Sequence, residues 1–321
     1  MIDSLSAGYR FLARRLDLLL VPLLLDLFFW LGPRLSIEVL MQNFATWYLG
    51  LSKQTELPAD FSSVVESAAE QMAALGKNTN LFYALASQRL FHVPTILPIT
   101  EQGTVGNIIQ VQSPVAMIGL LIGLTVIGLW IGVLYLSLLA RSLPIGGAAK
   151  PVSMGTFIVN TFRHWGRILI FVTLGMVALI ALIIPLSIIA SLLMLILPGM
   201  LLGFTAIGSG LDLLVFIYLY FMVAAIIMDD LSISAAIRQS LRLVQHNFWS
   251  VLGFVLVSLL IEVGFSILLV DLTTFQPPIG LIAAILLNAF IGTGLAMALL
   301  IFYRSRILLV EGKQVTGEFE I

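Results

Sequence analysis

Cysteine is absent from this 321-residue chain and histidine occurs only three times. The first absence excludes disulfides, thiolate metal sites and a cysteine nucleophile. His92, His164 and His246 lie far apart with no metal-ligand spacing, so neither a metal nor a cofactor is expected. Charge is equally scarce: Asp, Glu, Lys and Arg make up 10% of residues against 60% hydrophobic, and the net charge is -1. No broad basic face can be built from so little, which excludes a nucleic-acid partner. No phosphate loop, nucleophile elbow or zinc helix is present, so the expectation is a protein that is not an enzyme. What fills the chain is apolar sequence, with a mean hydropathy of +1.09. That composition belongs to an integral membrane protein.

The apolar runs divide into six expected crossings. "LDLLLVPLLLDLFFWL", Leu16 to Leu31, follows Arg10, Arg14 and Arg15 and imitates a secretory signal, but "GPRLSIEVL" after it offers no cleavage site, so it reads as a retained anchor. Pro114 to Ala140 carries no charge over 27 residues, enough to cross a hydrocarbon core of about 30 Å. Ile168 to Met228 has Asp212 as its single charge and is flanked by arginines at both ends. The positive-inside rule then demands an even number of crossings there. Two spans and a re-entrant or interfacial piece are expected, with breaks at Pro185, Pro198-Gly199 and Gly208 to Gly210. Val251 to Tyr303, interrupted by "DLTTFQPPIG", supplies two more.

Six crossings place both termini in the cytoplasm together with 12 of the 16 lysines and arginines. The other four, Arg34, Lys53, Lys77 and Arg89, lie in the long loop after the first span, where length weakens the rule. The expected architecture is all-α: a polytopic membrane helical bundle with amphipathic elbow helices on the cytoplasmic side and a small extracytoplasmic cap. Residues 1–31 form the first elbow and span, 32–113 the cap, and 114–321 a five-span bundle with its elbows. Within the cap, helical spacing predicts helices over Phe61 to Leu75 and Thr79 to Val93, followed by ordered loop or short strands.

The elbows come from a repeated phrase, "SLSAGYR" at Ser4 to Arg10 and "SISAAIR" at Ser232 to Arg238. Superposed, the copies align Arg10 with Arg238 and Arg14 with Arg242, each pair opposite an apolar stripe and just before a span. A third segment, Ser153 to Phe171, carries Arg163 and Arg167 at the same spacing. Such helices lie flat in the inner headgroup layer, apolar stripe in the acyl chains and arginines on lipid phosphates. Asp229 and Asp230 stand where the dipole of the Ser232 helix favours negative charge. Membrane lipids are therefore the first expected partners and a membrane protein the second.

The stretch "MVAAIIMDDLSISAAIRQSLRLVQHNFWSVLGFVLV" resembles the six-span membrane domain attached to some bacterial glycerophosphodiester phosphodiesterases, and related uncharacterised bacterial inner-membrane proteins. The resemblance implies a bacterial inner-membrane protein with the same six-span plan. In those fusions the reaction belongs to a separate barrel domain for which this chain lacks length and acidic and histidine pairs, so no phosphodiesterase activity is implied. The long outer loop departs from the compact family pattern.

Few polar groups lie within the apolar runs, where a central carboxylate costs about 2.5–3.5 kcal/mol on insertion scales. Asp212 is expected to begin the fourth span near the outer surface, and Asp26 to face the interface or the cap. Glu262 and Asn288 fall at similar depth in the last two spans and are expected to hydrogen-bond across that hairpin, gluing two helices. Gly119 with Gly123, and Gly128 with Gly132, suit close packing on both faces of the second span. Two functions follow: a scaffold or accessory subunit binding lipids or protein partners, or a small-solute or proton-coupled permease using Glu262.

Overall fold

The computed structural model describes residues 2–54, 59–86, 93–100, 105–143, 153–196, 201–275 and 278–310. The chain is an all-α polytopic membrane protein. In order it forms α1 (Ile2–Arg14), a 3₁₀ turn (Leu16–Leu19), α2 (Leu20–Leu31), β1 (Arg34–Ser36), α3 (Glu38–Gln54), α4 (Ala59–Asn78), β2 (Ile108–Gln110), α5 (Pro114–Ser142), α6 (Met154–Ile196), α7 (Leu201–Leu219), α8 (Met222–Asp229), α9 (Ile233–His246), α10 (Phe248–Thr274) and α11 (Ile279–Val310). Among the described residues five helical stretches are long and apolar enough to cross a bilayer: Pro114–Ser142, Met154–Ile189, Gly208–Asp229, Phe248–Thr274 and Ile279–Leu309. The expected sixth, Leu16 to Leu31, falls short because it folds as a 3₁₀ turn and then a helix of 12 residues. Among the described residues the expected re-entrant or interfacial piece is replaced by a pair of helices, and the expected break at Pro198-Gly199 lies outside them. Pro185 is accommodated inside α6 and the Gly208 to Gly210 glycines inside α7, the two helices ending and restarting at Ile196 and Leu201.

The chain divides into two compact units, one of residues 1–18, 133–264 and 291–321, the other of residues 19–132 and 265–290. The first has an aromatic core. Phe254 of α10 stacks on Phe302 of α11 at 4.4 Å, and Phe221, at the start of α8, stacks on the same ring at 5.6 Å. All three rings are fully buried. Tyr135 of α5 satisfies its buried hydroxyl by donating to the Thr293 hydroxyl at 2.9 Å, as a polar tip in an apolar interior requires. Helix α1 crosses α11 so closely that a Cβ on Gly8 would lie 2.8 Å from the Ala298 amide nitrogen.

The second unit contains the expected cap elements and one that was not expected. Helix α4 covers the helix predicted at Phe61 to Leu75, and α3, missed in the sequence, packs antiparallel on it with Met41 against Gly76. The helix expected over Thr79 to Val93 is, where described, a 3₁₀ turn at Leu81–Leu85; residues 87–92 lie outside the described set. Strands β1 and β2 pair in parallel with Leu35 opposite Ile109. Phe29 of α2 meets Tyr83 edge-on at 5.2 Å, and Phe28 meets Phe82 at 5.1 Å, pinning the 3₁₀ turn to α2.

Candidate functional site

Two adjacent carboxylates at the end of α8 organise the charged end of the first unit. Helix α8 stops because Asp230 takes a left-handed conformation, φ 50 and ψ 34, which a short polar side chain tolerates better than most. That turn sends the two side chains to different helices. Asp229 accepts from the Tyr303 hydroxyl of α11 at 2.5 Å and from the Arg304 guanidinium at 3.3 Å. Asp230 faces α6: Arg167 donates to its carboxylate at 2.6 Å and to the carbonyls of Asp230 and Leu231 at 2.9 and 3.0 Å. His164 and Arg163 approach the same carboxylate at 3.2 and 3.4 Å. Burial raises the pKa of the Asp230 carboxyl, but the Arg167 hydrogen bond and charge, with His164 behind them, pull it down further, leaving it below the ordinary carboxylate range.

This cluster changes the expected roles of the third arginine pair. Arg163 and Arg167 do not lie on a separate elbow; they sit within α6, one continuous helix of 43 residues. The physical reason is that no break separates them from the span. Helix α1 ends at Arg14 and α9 ends at Asn247, where φ -132 and ψ 30 leave the helical region. Arg167, with a quarter of its side chain exposed, is committed to Asp230 and the adjacent backbone. Asp229 and Asp230 answer arginines on other helices. Ser232 is the N-cap of α9, though its hydroxyl makes no cap bond.

The two remaining pairs present a different picture. Arg10 and Arg14 on α1, and Arg238 and Arg242 on α9, are exposed and enter no ion pair among the described residues. The faces opposite them are buried by protein. Ala7, Gly8, Phe11 and Leu12 are buried on α1, and Ala236, Ser240, Leu243 and Val244 on α9. On α9 the apolar stripe thus rests largely on neighbouring helices where acyl chains were expected, whereas on α1 Gly8 and Leu12 do so while Ala13, and Leu16 just beyond the helix, stay exposed. Gly8 and Ala236, equivalent in the repeat, are both buried small residues, and the Ser240 hydroxyl donates to the Tyr218 carbonyl at 2.6 Å.

The intramembrane polar residues lie on α7, α10 and α11. Asp212 is exposed on α7, four residues into the apolar stretch Gly208–Asp229. Glu262 is half-buried on α10, in the first unit, within electrostatic reach of the Tyr220 hydroxyl. Its expected partner Asn288 belongs to the second unit. There the Asn288 amide, turned so that its oxygen meets donors, accepts from the N–H groups of Thr95 and Ile96 at 3.2 Å each. Asp26, fully buried on α2, accepts from Ile96 N–H at 3.0 Å and Leu97 N–H at 3.2 Å. Sequence reasoning missed this loop because its donors are backbone amides. It also missed Tyr303 and Arg304, although "YRSR" beside an otherwise apolar helix was a legible signal.

Comparison with protein-family models, curated proteins and solved structures finds no match for this chain.

Proposed function

We propose that the protein is a non-enzymatic membrane scaffold or accessory subunit that holds anionic lipid, and through it or beside it a membrane protein partner, with the arginines of α1 and α9. The observation carrying this reading is the contrast among the three arginine pairs. Arg163 and Arg167 are both paired with Asp230, whereas Arg10 with Arg14, and Arg238 with Arg242, stay exposed and unmatched by any acid among the described residues. Arginine pairs one turn apart suit phosphate oxygens, which accept the guanidinium's parallel donors.

The reading places both termini in the cytoplasm and loop 32–113 outside, in keeping with the bacterial inner-membrane family that the α8–α10 sequence resembles. It requires Leu16 to Leu31 to cross. Four residues of 3₁₀ helix and 12 of α-helix extend about 26 Å at the ordinary rises, a shortfall from about 30 Å that local thinning of the bilayer accommodates.

Native mass spectrometry of the chain released from nanodiscs tests the assignment. Arg10→Gln/Arg14→Gln and Arg238→Gln/Arg242→Gln should each lose retained phosphatidylglycerol several-fold. Arg163→Gln/Arg167→Gln should keep the lipid and lose thermal stability. Undiminished lipid in both elbow variants would sink the reading. The alternative, a permease, rests on Glu262 beside Tyr220; it predicts proteoliposome flux that Glu262→Gln abolishes, where a scaffold gives none.

A further inference from the structure

The hairpin of α3 and α4 has two unlike sides. Its seam is marked by Gly76, which faces Met41 and Glu38, and by buried Ala45, Val65 and Ala69. Wound at about 100° per residue, Phe44, Trp47 and Leu51 of α3 fall within about 60° of one another, and Val64, Ala68 and Leu75 of α4 within about 40°. Each stripe lies about 100–115° from its own seam in the same rotational sense. The two-fold rotation that exchanges antiparallel helices preserves that sense, so both stripes emerge on one side of the hairpin.

That side is uncovered, and among residues with described side chains it is uncharged, with exposed Gln71 the polar break in the α4 stripe. Phe44, Trp47, Leu51, Val64 and Leu75 are 46–63% exposed, and the rings of Phe44 and Trp47 lie 5.4 Å apart. The opposite side is polar and exposed, with Gln42 and Thr46 on α3 and Glu66 and Glu70 on α4. An exposed apolar face of this size on a water-soluble surface would invite association. Here the chain supplies a different neighbour: α3 begins only six residues after α2, an element of the membrane part whose own exposed positions are Leu20, Leu24, Leu27, Phe28 and Leu31. Charge split between the sides and an aromatic pair at the boundary are what an interfacial element shows.

We infer that the α3–α4 hairpin lies on the bilayer surface, with Phe44, Trp47 and Leu51 of α3 and Val64 and Leu75 of α4 seated at the boundary between headgroups and acyl chains. It is a second lipid contact, separate from the elbow arginines and driven by apolar burial instead of phosphate pairing. A protein covering the same face would shield it from lipid and water alike.

Because the chain has no cysteine, single nitroxide labels report each side directly. Full-length Leu51→Cys, Leu75→Cys, Thr46→Cys and Glu70→Cys variants, spin-labelled in phosphatidylethanolamine–phosphatidylglycerol liposomes, would be compared for collision with oxygen and with a water-soluble nickel chelate. The expected result is an oxygen-to-nickel accessibility ratio several-fold higher at positions 51 and 75 than at 46 and 70. Equal ratios on the two sides would overturn the inference by placing the hairpin in water. Labels at 51 and 75 shielded from both reagents would overturn it in favour of a partner protein or a second copy. Should Leu51→Cys fail to fold, Val64→Cys reads the same face.

Discussion

Asp26 shows how a carboxylate can be kept in an apolar setting. It has no exposed surface, and its cost is offset by three short contacts with the N–H groups of Ile96 and Leu97. Replacing it with alanine strands the Leu97 N–H, at about 1–3 kcal/mol, and leaves the Ile96 N–H with the Asn288 oxygen alone. Asp26→Ala should therefore lower stability by about 1–3 kcal/mol in thermal unfolding of the detergent-solubilised chain, whereas Asp26→Asn, which keeps an acceptor oxygen, should lose much less. Equal losses would show that the charge, not the hydrogen bonds, holds the loop. Asp230 differs because half its side chain is exposed, so solvent limits its ion pairs to about 1 kcal/mol or less each. Its folded carboxyl is depressed, chiefly by Arg167 acting against the opposing effect of burial. The stabilisation is thus fully present above the ordinary carboxylate pKa of about 4 and is lost as pH falls through the folded value. The stability gap between wild type and Asp230→Asn should stay constant from neutral pH down to that range and close below it; a gap that closes near neutrality would assign the effect to His164.

At the scale of helices, the repeat was legible and its packing was not. A pattern of arginines one turn apart opposite small and apolar residues marks an amphipathic helix whatever touches it. The same pattern does not say whether the apolar stripe meets lipid or protein, because both are equally apolar. Gly8 answers for α1, since its missing Cβ lets the backbone of α11 approach at Gly294 and Ala298, and the Tyr9 ring occupies the space a side chain on Gly294 would need. Gly8→Leu should cost at least about 1–3 kcal/mol by overpacking, read as a lower midpoint in thermal unfolding; an unchanged midpoint would mean that α1 is not held against α11. For α6 the difference from expectation is one of continuity. Two arginines four apart look the same in an elbow and in a continuous helix, and only Asp230, 63 residues beyond Arg167, tells them apart.

For the molecule as a whole, side-selective labelling decides the topology. Single cysteines introduced at the exposed Asp3 of α1 and at Thr46 of α3, on either side of Leu16 to Leu31, should react with a membrane-impermeant maleimide from opposite sides of sealed vesicles. Reaction from the same side would remove Leu16 to Leu31 as a crossing and bring the topology to five spans.

Membership in the membrane class and the five long apolar helices were carried by hydrophobicity, and the helices that hold Arg10 with Arg14 and Arg238 with Arg242 by periodicity, both of which are local along the chain and survive without any knowledge of neighbours. The partners of Asp229, Asp230, Asp26 and Asn288, the face each elbow buries and the apolar side of the α3–α4 hairpin came from folding. Each depends on groups distant in sequence or on backbone amides, whose positions no single stretch of residues encodes.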